Sequence, residues 1–549
     1  WGSIRKGTKT KLTSVYIEFI DNIVLSFHKY LSEAVKEEKP DMKVQTKIMA
    51  YLHQNAGDDT NVRPEIGNEY ESLSKVLDLN GHDGGASPGN EDAPFEALLQ
   101  WFDFQRSVKD APMFNMEDHS MGGDYSADKA KWIYGYLWQG AIHGRGGTAL
   151  WRWTRDERSM TSYQTDTNFA TRPAETAAVG KAALDLNRFS EEITAIEQRK
   201  AHVAIFYSDK TNCWNNNYLN ALYKSYCDVI YSGQKVDYIT EYSPEKMNSG
   251  DYDLLVVPYA TCVPKKVLEE IITFKNNGGK VVLTEFGSGG ALSLDEYGTQ
   301  HAPSIVSEAR NGCEIVRYSS QGAWYNDDWN VYDADGTVSN KIRSMIREYV
   351  RDADLLQVKD AATGELIDRA EYACAEDENG DVIVNIYSFD TENAKNINVY
   401  YNGNKVTSST ELISGEDMGG NITLKPYMPL LLKLGGVQKK IKTVVSLAER
   451  AGDGVEITSY NLKKPMAGTI AASFEIPKGM FDGDVPIKLV VASYESGKMT
   501  GCTVKTITPG SEETMAKVLL DVGSVSENTR IKTFVWSDDM RTLADKTEL

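Results

Sequence analysis

The sequence predicts a multidomain chain of mixed α/β and β class, with parallel α/β folds first and all-β modules after them. Three observations carry this expectation. Helical and strand-like stretches alternate up to about residue 350; helical periodicity then gives way to short segments separated by Gly, Asn and Asp turns; and 549 residues exceed what one core organises. Strict helix and strand alternation implies parallel strands joined by helical crossovers.

From Ser14 to Lys36 the apolar positions of SVYIEFIDNIVLSFHKYLSEAVK recur at helical spacing, and MKVQTKIMAYL, Met42 to Leu52, reads as a buried strand and its exit. The pattern returns in ESLSKVLDLNGHDGG, in EALLQWFDFQRSVKDAPMFNMEDH and in KAKWIYGYLWQGAIHGRGGTALWRWTRD, which makes four units before about residue 160. A closed (β/α)8 TIM barrel takes roughly 250 residues. Residues 1–200 are therefore expected to hold its C-terminal half, with the first strands upstream and Thr171 to Gln198 as a closing helical region. The opening WGSIRKGTKTK has neither an initiator Met nor the apolar core of a signal peptide, which agrees with missing upstream sequence.

Residues 201–352 read as a doubly wound α/β domain. AHVAIFYSD, Val236 to Ile239, DYDLLVVPYATCV and Lys280 to Phe286 are its strands, and Gly278 and Gly279 punctuate the helix before the last of them. Residues 353–436 form a small β-sandwich from DVIVNIYSF, INVYYNG and NITLKPYMPLLLKL. Residues 437–549 repeat that character in GTIAASFEIP, IKLVVASYES, TMAKVLLDV and RIKTFVWS, a C-terminal accessory β-sandwich.

Composition narrows the function classes. The chain has 59 basic against 79 acidic residues, a net charge of −20, which disfavours nucleic acid and anionic membranes as partners and favours neutral ligands. No apolar run approaches the roughly 20 residues of a membrane span. The six cysteines, Cys213, Cys227, Cys262, Cys313, Cys374 and Cys502, show no CxxC pair and no metal-like spacing, so neither a zinc site nor a disulfide framework is expected.

In a barrel, the residues just past each strand converge on one mouth. Asn80, His82 and Asp83 follow an expected strand Val76 to Leu79; Glu117, Asp118 and His119 follow Met113 to Met116; Trp151, Arg152 and Trp153 follow Thr148 to Leu150. A carboxylate flanked by hydrogen-bonding groups and aromatic platforms suits a sugar, whose rings have apolar faces and whose hydroxyls need polar partners. Glu117 is the candidate catalytic residue; Asn80, His82, Asp83, His119, Trp138, Trp151 and Trp153 are the candidate sugar-binding residues. Packing roles for the tryptophans and structural hydrogen bonding for the two histidines are the competing readings. Asp118 is expected to face away from Glu117, because adjacent strand residues diverge.

The strand ending in NMEDH, the strand carrying LWRWTR, the early WGS and the closing TRPAETAAVGKAALDL together resemble the later half of the β-galactosidases of glycoside hydrolase family 42. The following LLVVP and FKNNGGKVVLTEFG are similar to that family's trimerisation domain, which has a glutamine-amidotransferase-like fold. The last module, with IKTFVWSDDMRTLAD, is similar to accessory β-sandwiches of secreted glycosidases from Gram-positive bacteria, which implies an extracellular or cell-surface location, with the cytoplasm as the alternative.

The resemblance implies a retaining exo-glycosidase without cofactor, a homotrimer, acting on an oligo- or polysaccharide or glycoside with terminal β-linked galactose or a similar sugar. It places the nucleophile on Glu117 and the acid/base glutamate upstream of Trp1. Asn68-Glu69 is a decoy for that acid/base pair, because no strand precedes it, and Glu18 lies inside a helix. A noncatalytic carbohydrate-binding or scaffold protein of the same architecture is the alternative. An amidotransferase with Cys262 as nucleophile is weaker still, because ATCVP lacks a glycine-flanked elbow.

Overall fold

Helix α1, Lys11–Glu38, starts at a capping box in which the Thr10 and Thr13 side chains each accept from the other's backbone N–H. The computed structural model describes residues 10–48, 67, 69–85, 94–120, 127–151, 153, 169–215, 218–287, 290–318, 333, 336–437, 441–451, 454–459, 462, 464–477, 480–481, 485–509 and 514–549. After α1 come α2 (Tyr70–Lys75), β1 (Asn80–Asp83), α3 (Phe95–Val108), β2 (Met113–Asp118), α4 (Ala127–Ile142), β3 (Arg145–Leu150), α5 (Pro173–Arg188) and α6 (Ser190–Glu197). Strands β1, β2 and β3 pair in parallel in that order, as alternating helices and strands require.

The first expected strand differs. Residues 42–48 form no ladder, and 49–52 lie outside the described residues. The segment still lies beside β1: the Val44 carbonyl accepts from the N–H of Asp78 and Leu79, and the Ile48 carbonyl accepts from Asp83 N at 2.9 Å. Gly81 permits this approach, since a Cβ there would collide with the Thr46 carbonyl. Strand β1 also begins later than expected. Asn80 to Asp83 are the strand itself, so their side chains alternate between its faces instead of following it as a loop.

A five-stranded parallel sheet follows, built from β4 (Val203–Tyr207), β5 (Val236–Thr240), β6 (Leu254–Pro258), β7 (Lys280–Phe286) and β8 (Glu314–Tyr318) in the order β5-β4-β6-β7-β8. Its helices are α7 (Asp209–Trp214), α8 (Tyr218–Ile230), α9 (Lys265–Asn276), α10 (Pro303–Arg310) and α11 (Thr337–Tyr349). The apolar strands are buried on both faces, as a sheet covered by helices on each side must be. Gly278, at φ 98°, takes the left-handed conformation that ends α9 before β7.

From Leu356 onward the described residues form only antiparallel sheets. β9 (Leu356–Asp360) joins a four-stranded sheet, and β10 (Ala370–Glu376) and β11 (Val382–Ser388) pair in a five-stranded one, with a shared core of Val358, Val384, Ile397, Leu424 and Leu432. Between Lys442 and Glu548 two further four-stranded sheets close on a separate core that includes Ile470, Phe474, Leu489, Val491 and Ile531.

Helices α3 and α4 fasten the three-stranded sheet to everything that follows. Every residue of α3 from Phe95 to Gln105 is buried, so the helix has no solvent face there. Gly135 of α4 lies so close to the Tyr427 carbonyl and the Tyr387 ring that a Cβ would not fit. At the centre of this junction His143 is buried between two acids. Its Nδ1 lies 2.9 Å from Asp103 of α3 and its Nε2 lies 2.9 Å from Glu371 of β10. Tyr226 of α8 donates to Asp103 at 2.8 Å, and Gln139 of α4 donates to Glu371 at 2.7 Å. Burial alone would push the imidazole pKa down, but the two carboxylates outweigh it and raise it to about 10.

His143→Gln removes that positive charge from between two buried carboxylates and leaves Glu371 only the more distant Arg199, 3.9 Å away. A loss of about 3–5 kcal/mol is expected, read as a fall in thermal midpoint. The pKa is raised in the folded state, so the stabilisation is complete below the ordinary value of 6.5 and fades as pH rises toward about 10. The gap between wild-type and variant midpoints should narrow over that range.

Candidate active site

At the C-terminal edge of the parallel sheet, one bulge decides which side chain is presented. Along β2 burial alternates, with Met113 and Asn115 inside and Phe114 and Met116 on the open face. Regular alternation would bury Glu117. The ladder to β3 instead slips between Asn115 and Asp118, and that to β1 between His82 and Asp83. The slip leaves Glu117 beside Met116 on the open face and turns Asp118 inward. Asp118 is fully buried and accepts from Tyr136 at 2.9 Å, from Thr148 at 2.7 Å and from Ser120 N at 3.0 Å, with Arg145 at 3.3 Å. The expected divergence of Glu117 and Asp118 is therefore present, with Asp118 anchoring the strand end.

Glu117 sits in a ring of polar groups made by Lys47, Asp83 and His119. Lys47 Nζ lies 2.5 Å from Glu117 Oε2 and 3.0 Å from Asp83 Oδ2, while His119 Nε2 lies 3.0 Å from Glu117 Oε1 and 3.6 Å from Asp83 Oδ1. Asp83 and Glu117 are register partners on β1 and β2, which is why they face the same side. The Lys47 ammonium holds the Glu117 carboxyl below the usual carboxylate range, with His119 adding to the effect. The same contact raises Lys47. The Asn115 amide donates to the Gly84 carbonyl at 2.8 Å and ties the exits of β1 and β2 together.

The ligand atoms of Asp83, Glu117 and His119 lie within 4.8 Å of one another, close enough for a divalent cation. Lys47 already bridges the two carboxylates, so a cation and the ammonium would compete for the same oxygens. The set is read as an ion-paired cluster.

Three of the predicted sugar-binding residues gather at Glu117: Asp83, His119 and Trp151, whose ring lies 5.8 Å from that of His119. Trp153 is 68% exposed at the same edge. Arg152 lies outside the described residues. Three others are elsewhere. The Asn80 side chain lies at the opposite end of β1, where it accepts from Tyr70 at 2.7 Å and donates to the carbonyls of Lys109 and Ala111. His82 points to the helical layer, fully buried, its ring 4.8 Å from Phe102, and burial followed by the charge of Arg145 pushes its pKa down to about 3. Trp138 is fully buried in α4 and donates to Asn385 of β11 at 2.8 Å, which leaves no face for a sugar. Strand alternation accounts for the first two corrections and helix packing for the third.

Lys47 was missed. Its signal is the alternation of Val44, Thr46 and Ile48 with the polar Gln45 and Lys47. Glu69 caps α2, accepting from the N–H of Glu71 and Ser72. Glu18 of α1 lies 3.3 Å from Lys210 of α7. The Cys262 reading finds no support: the thiol is buried, its pKa is pushed up to about 12 by that burial, and its neighbourhood is a closed network in which the Ser208 hydroxyl lies 2.8 Å from both Glu241 and the Cys262 carbonyl, and Thr211 donates to that carbonyl at 2.9 Å.

No protein-family model and no curated protein matches the sequence. Solved structures do. The fold is similar to that of a GH42 exo-carrageenase from Bacteroides ovatus, at TM-score 0.60 and 20% identity over 77% of this chain and 56% of that one. It is similar to a β-galactosidase from Rahnella sp. R3 at TM-score 0.54 and 14% identity, over 78% of this chain and 69% of that one. It is also similar to a β-galactosidase from Bacillus circulans sp. alkalophilus at TM-score 0.53 and 14% identity, over 77% and 68%. The chain thus spans little more than half the length of the carrageenase and about two thirds of the galactosidases. Its fold is GH42-like.

The two tryptophan environments predict different phenotypes. Trp138→Ala should cost about 3–5 kcal/mol of stability, seen as a large fall in thermal midpoint. Trp153→Ala should leave stability within about 0.5 kcal/mol.

Proposed function

We propose that the chain carries the nucleophile side of a retaining exo-glycosidase acting on terminal β-linked galactose or a similar sugar, with Glu117 as the nucleophile. The observation that carries this reading is the bulge that turns Glu117 out at the C-terminal edge of a parallel sheet, where Lys47 keeps it ionised and its partner His119 lies 5.8 Å from the Trp151 ring. In this reading β1 to β3 are consecutive strands of a (β/α)8 barrel. Exposed Phe114 and Met116 on the open face of β2, and Leu12, Phe19 and Phe27 on the outer face of α1, support it as surfaces that further barrel elements cover.

The chemistry follows from the carboxylate. Glu117 attacks the anomeric carbon as the bond to the leaving oxygen breaks, and an acid about 5 Å away protonates that oxygen. Water, deprotonated by the same group, then attacks the anomeric carbon and releases Glu117 as a carboxylate. Asp83 lies close to Glu117 but is assigned to holding Lys47, and Glu69 is committed to its helix cap. Trp151 and Trp153 offer apolar faces to the sugar ring. The noncatalytic alternative keeps the aromatic platform and dispenses with the covalent step.

Glu117→Gln preserves shape and removes the nucleophile. In the full-length protein, hydrolysis of 4-nitrophenyl β-galactoside should fall by about 10³-fold or more, with an unchanged thermal midpoint. Undiminished hydrolysis would reject the assignment. Galactoside binding without turnover by the full-length wild type would favour the noncatalytic protein.

A further inference from the structure

We propose that Lys47 is a positioning residue for Glu117, aimed by Asp83, which fixes the carboxylate's rotation and keeps it ready to attack at mildly acidic pH. The proposal rests on the reading of Glu117 as nucleophile and adds a residue to it.

The geometry is specific. A glutamate at a strand exit has three side-chain torsions, and a carboxylate with one free oxygen must hold them to attack one carbon. Lys47 Nζ takes Oε2 at 2.5 Å, and His119 lies at Oε1, 3.0 Å away. The ammonium is itself located by Asp83 Oδ2 at 3.0 Å, on a strand neighbouring that of Glu117. A lysine held by a second carboxylate pins the first without neutralising the whole cluster.

The backbone of the Lys47 segment is fixed too, because Val44 and Ile48 bond to residues 78, 79 and 83. The division of labour is then clear. Lys47 grips Oε2, whereas His119, whose side chain is 42% exposed at the exit of β2, is the partner that a substrate displaces from Oε1.

The charged and titratable groups facing the Glu117 carboxylate, among the described residues, are Lys47 from the extended segment, Asp83 from β1 and His119 from the exit of β2. On β3, Arg145 is turned to the opposite face and paired with Asp118. Lys47 is the largest influence lowering Glu117, ahead of His119. Its removal therefore raises the pH at which Glu117 takes up a proton, and Asp83 and His119 do not compensate: one is a like charge and the other is the weaker partner.

Two readouts on the full-length protein separate this proposal from the reading beneath it. The first is carbodiimide coupling of Glu117 to glycine ethyl ester, followed by peptide mass spectrometry between pH 3 and 7, which follows the protonated carboxyl and needs no turnover. The second is the pH dependence of kcat/KM on 2,4-dinitrophenyl β-galactoside, whose leaving group needs little acid assistance. In Lys47→Met both the coupling midpoint and the acidic limb should move up by about one pH unit or more, and kcat should fall at least tenfold with little change in KM. Lys47→Arg should restore most of the midpoint.

A coupling midpoint unchanged in Lys47→Met overturns the proposal. So does a shifted midpoint accompanied by unchanged kcat. A shifted midpoint with Glu117→Gln fully active rejects the nucleophile instead, and with it the role of Lys47 in the reaction. A lowered thermal midpoint with neither pH shift would make Lys47 a merely structural residue and also overturns the proposal.

Discussion

Burying a charged histidine between two carboxylates is expensive unless every partner is in place, and the position of the candidate site depends on that arrangement. His143 joins α3 through Asp103 and the antiparallel sheet through Glu371, while Tyr226 of α8 closes on Asp103. Four elements from three sheet systems thereby share one cluster. Helices α3 and α4 are the backing on which β1 to β3 lie, so fixing them fixes the plane and twist of the parallel sheet. Trp138 with Asn385, and Tyr231 with Glu96, add hydrogen bonds along the same junction. A carboxylate at the edge of that sheet inherits the rigidity, which is what a reacting group requires.

A second buried charge does the same work at shorter range. Asp118 and Arg145 lie on adjacent strands, and both are almost wholly inaccessible. The hydrogen bonds that Asp118 receives from Tyr136, Thr148 and Ser120 hold the end of β2 in its bulged form. Glu117 faces outward because its neighbour is so firmly held inward. Two consecutive acids therefore have unlike tasks set by environment, one as an anchor and one as a half-buried carboxylate held ionised by an ammonium.

Much of the architecture was legible because the periodicities are strong. The apolar runs of β4, β6 and β7 and the glycine pair after α9 identify the doubly wound sheet, and the loss of helical spacing after about residue 350 marks the antiparallel modules. The placement of Glu117 at the end of a strand was legible from the acids that follow an apolar run. What was not legible was side-chain direction. Asn80 and His82 were read as following a strand, yet they lie within it, and one residue of displacement sends a side chain to the opposite face. Trp138 carries no local mark that separates a packed ring from a sugar platform, since both are aromatic residues on an apolar helix. Lys47 was hidden because a lysine in a short extended segment is most often solvated, and its partners lie 36 and 70 residues away in sequence.

The central claim is that Glu117 forms a covalent bond to a sugar. Incubation with a 2-deoxy-2-fluoro-β-galactosyl reagent bearing a dinitrophenyl leaving group, followed by peptide mass mapping, reads that bond directly, because the fluorine slows hydrolysis of the intermediate. One added fluorogalactosyl mass is expected on the peptide containing Glu117, with protection by free galactose. A label on any other carboxylate, or a folded protein that binds galactose and acquires no label, would contradict it.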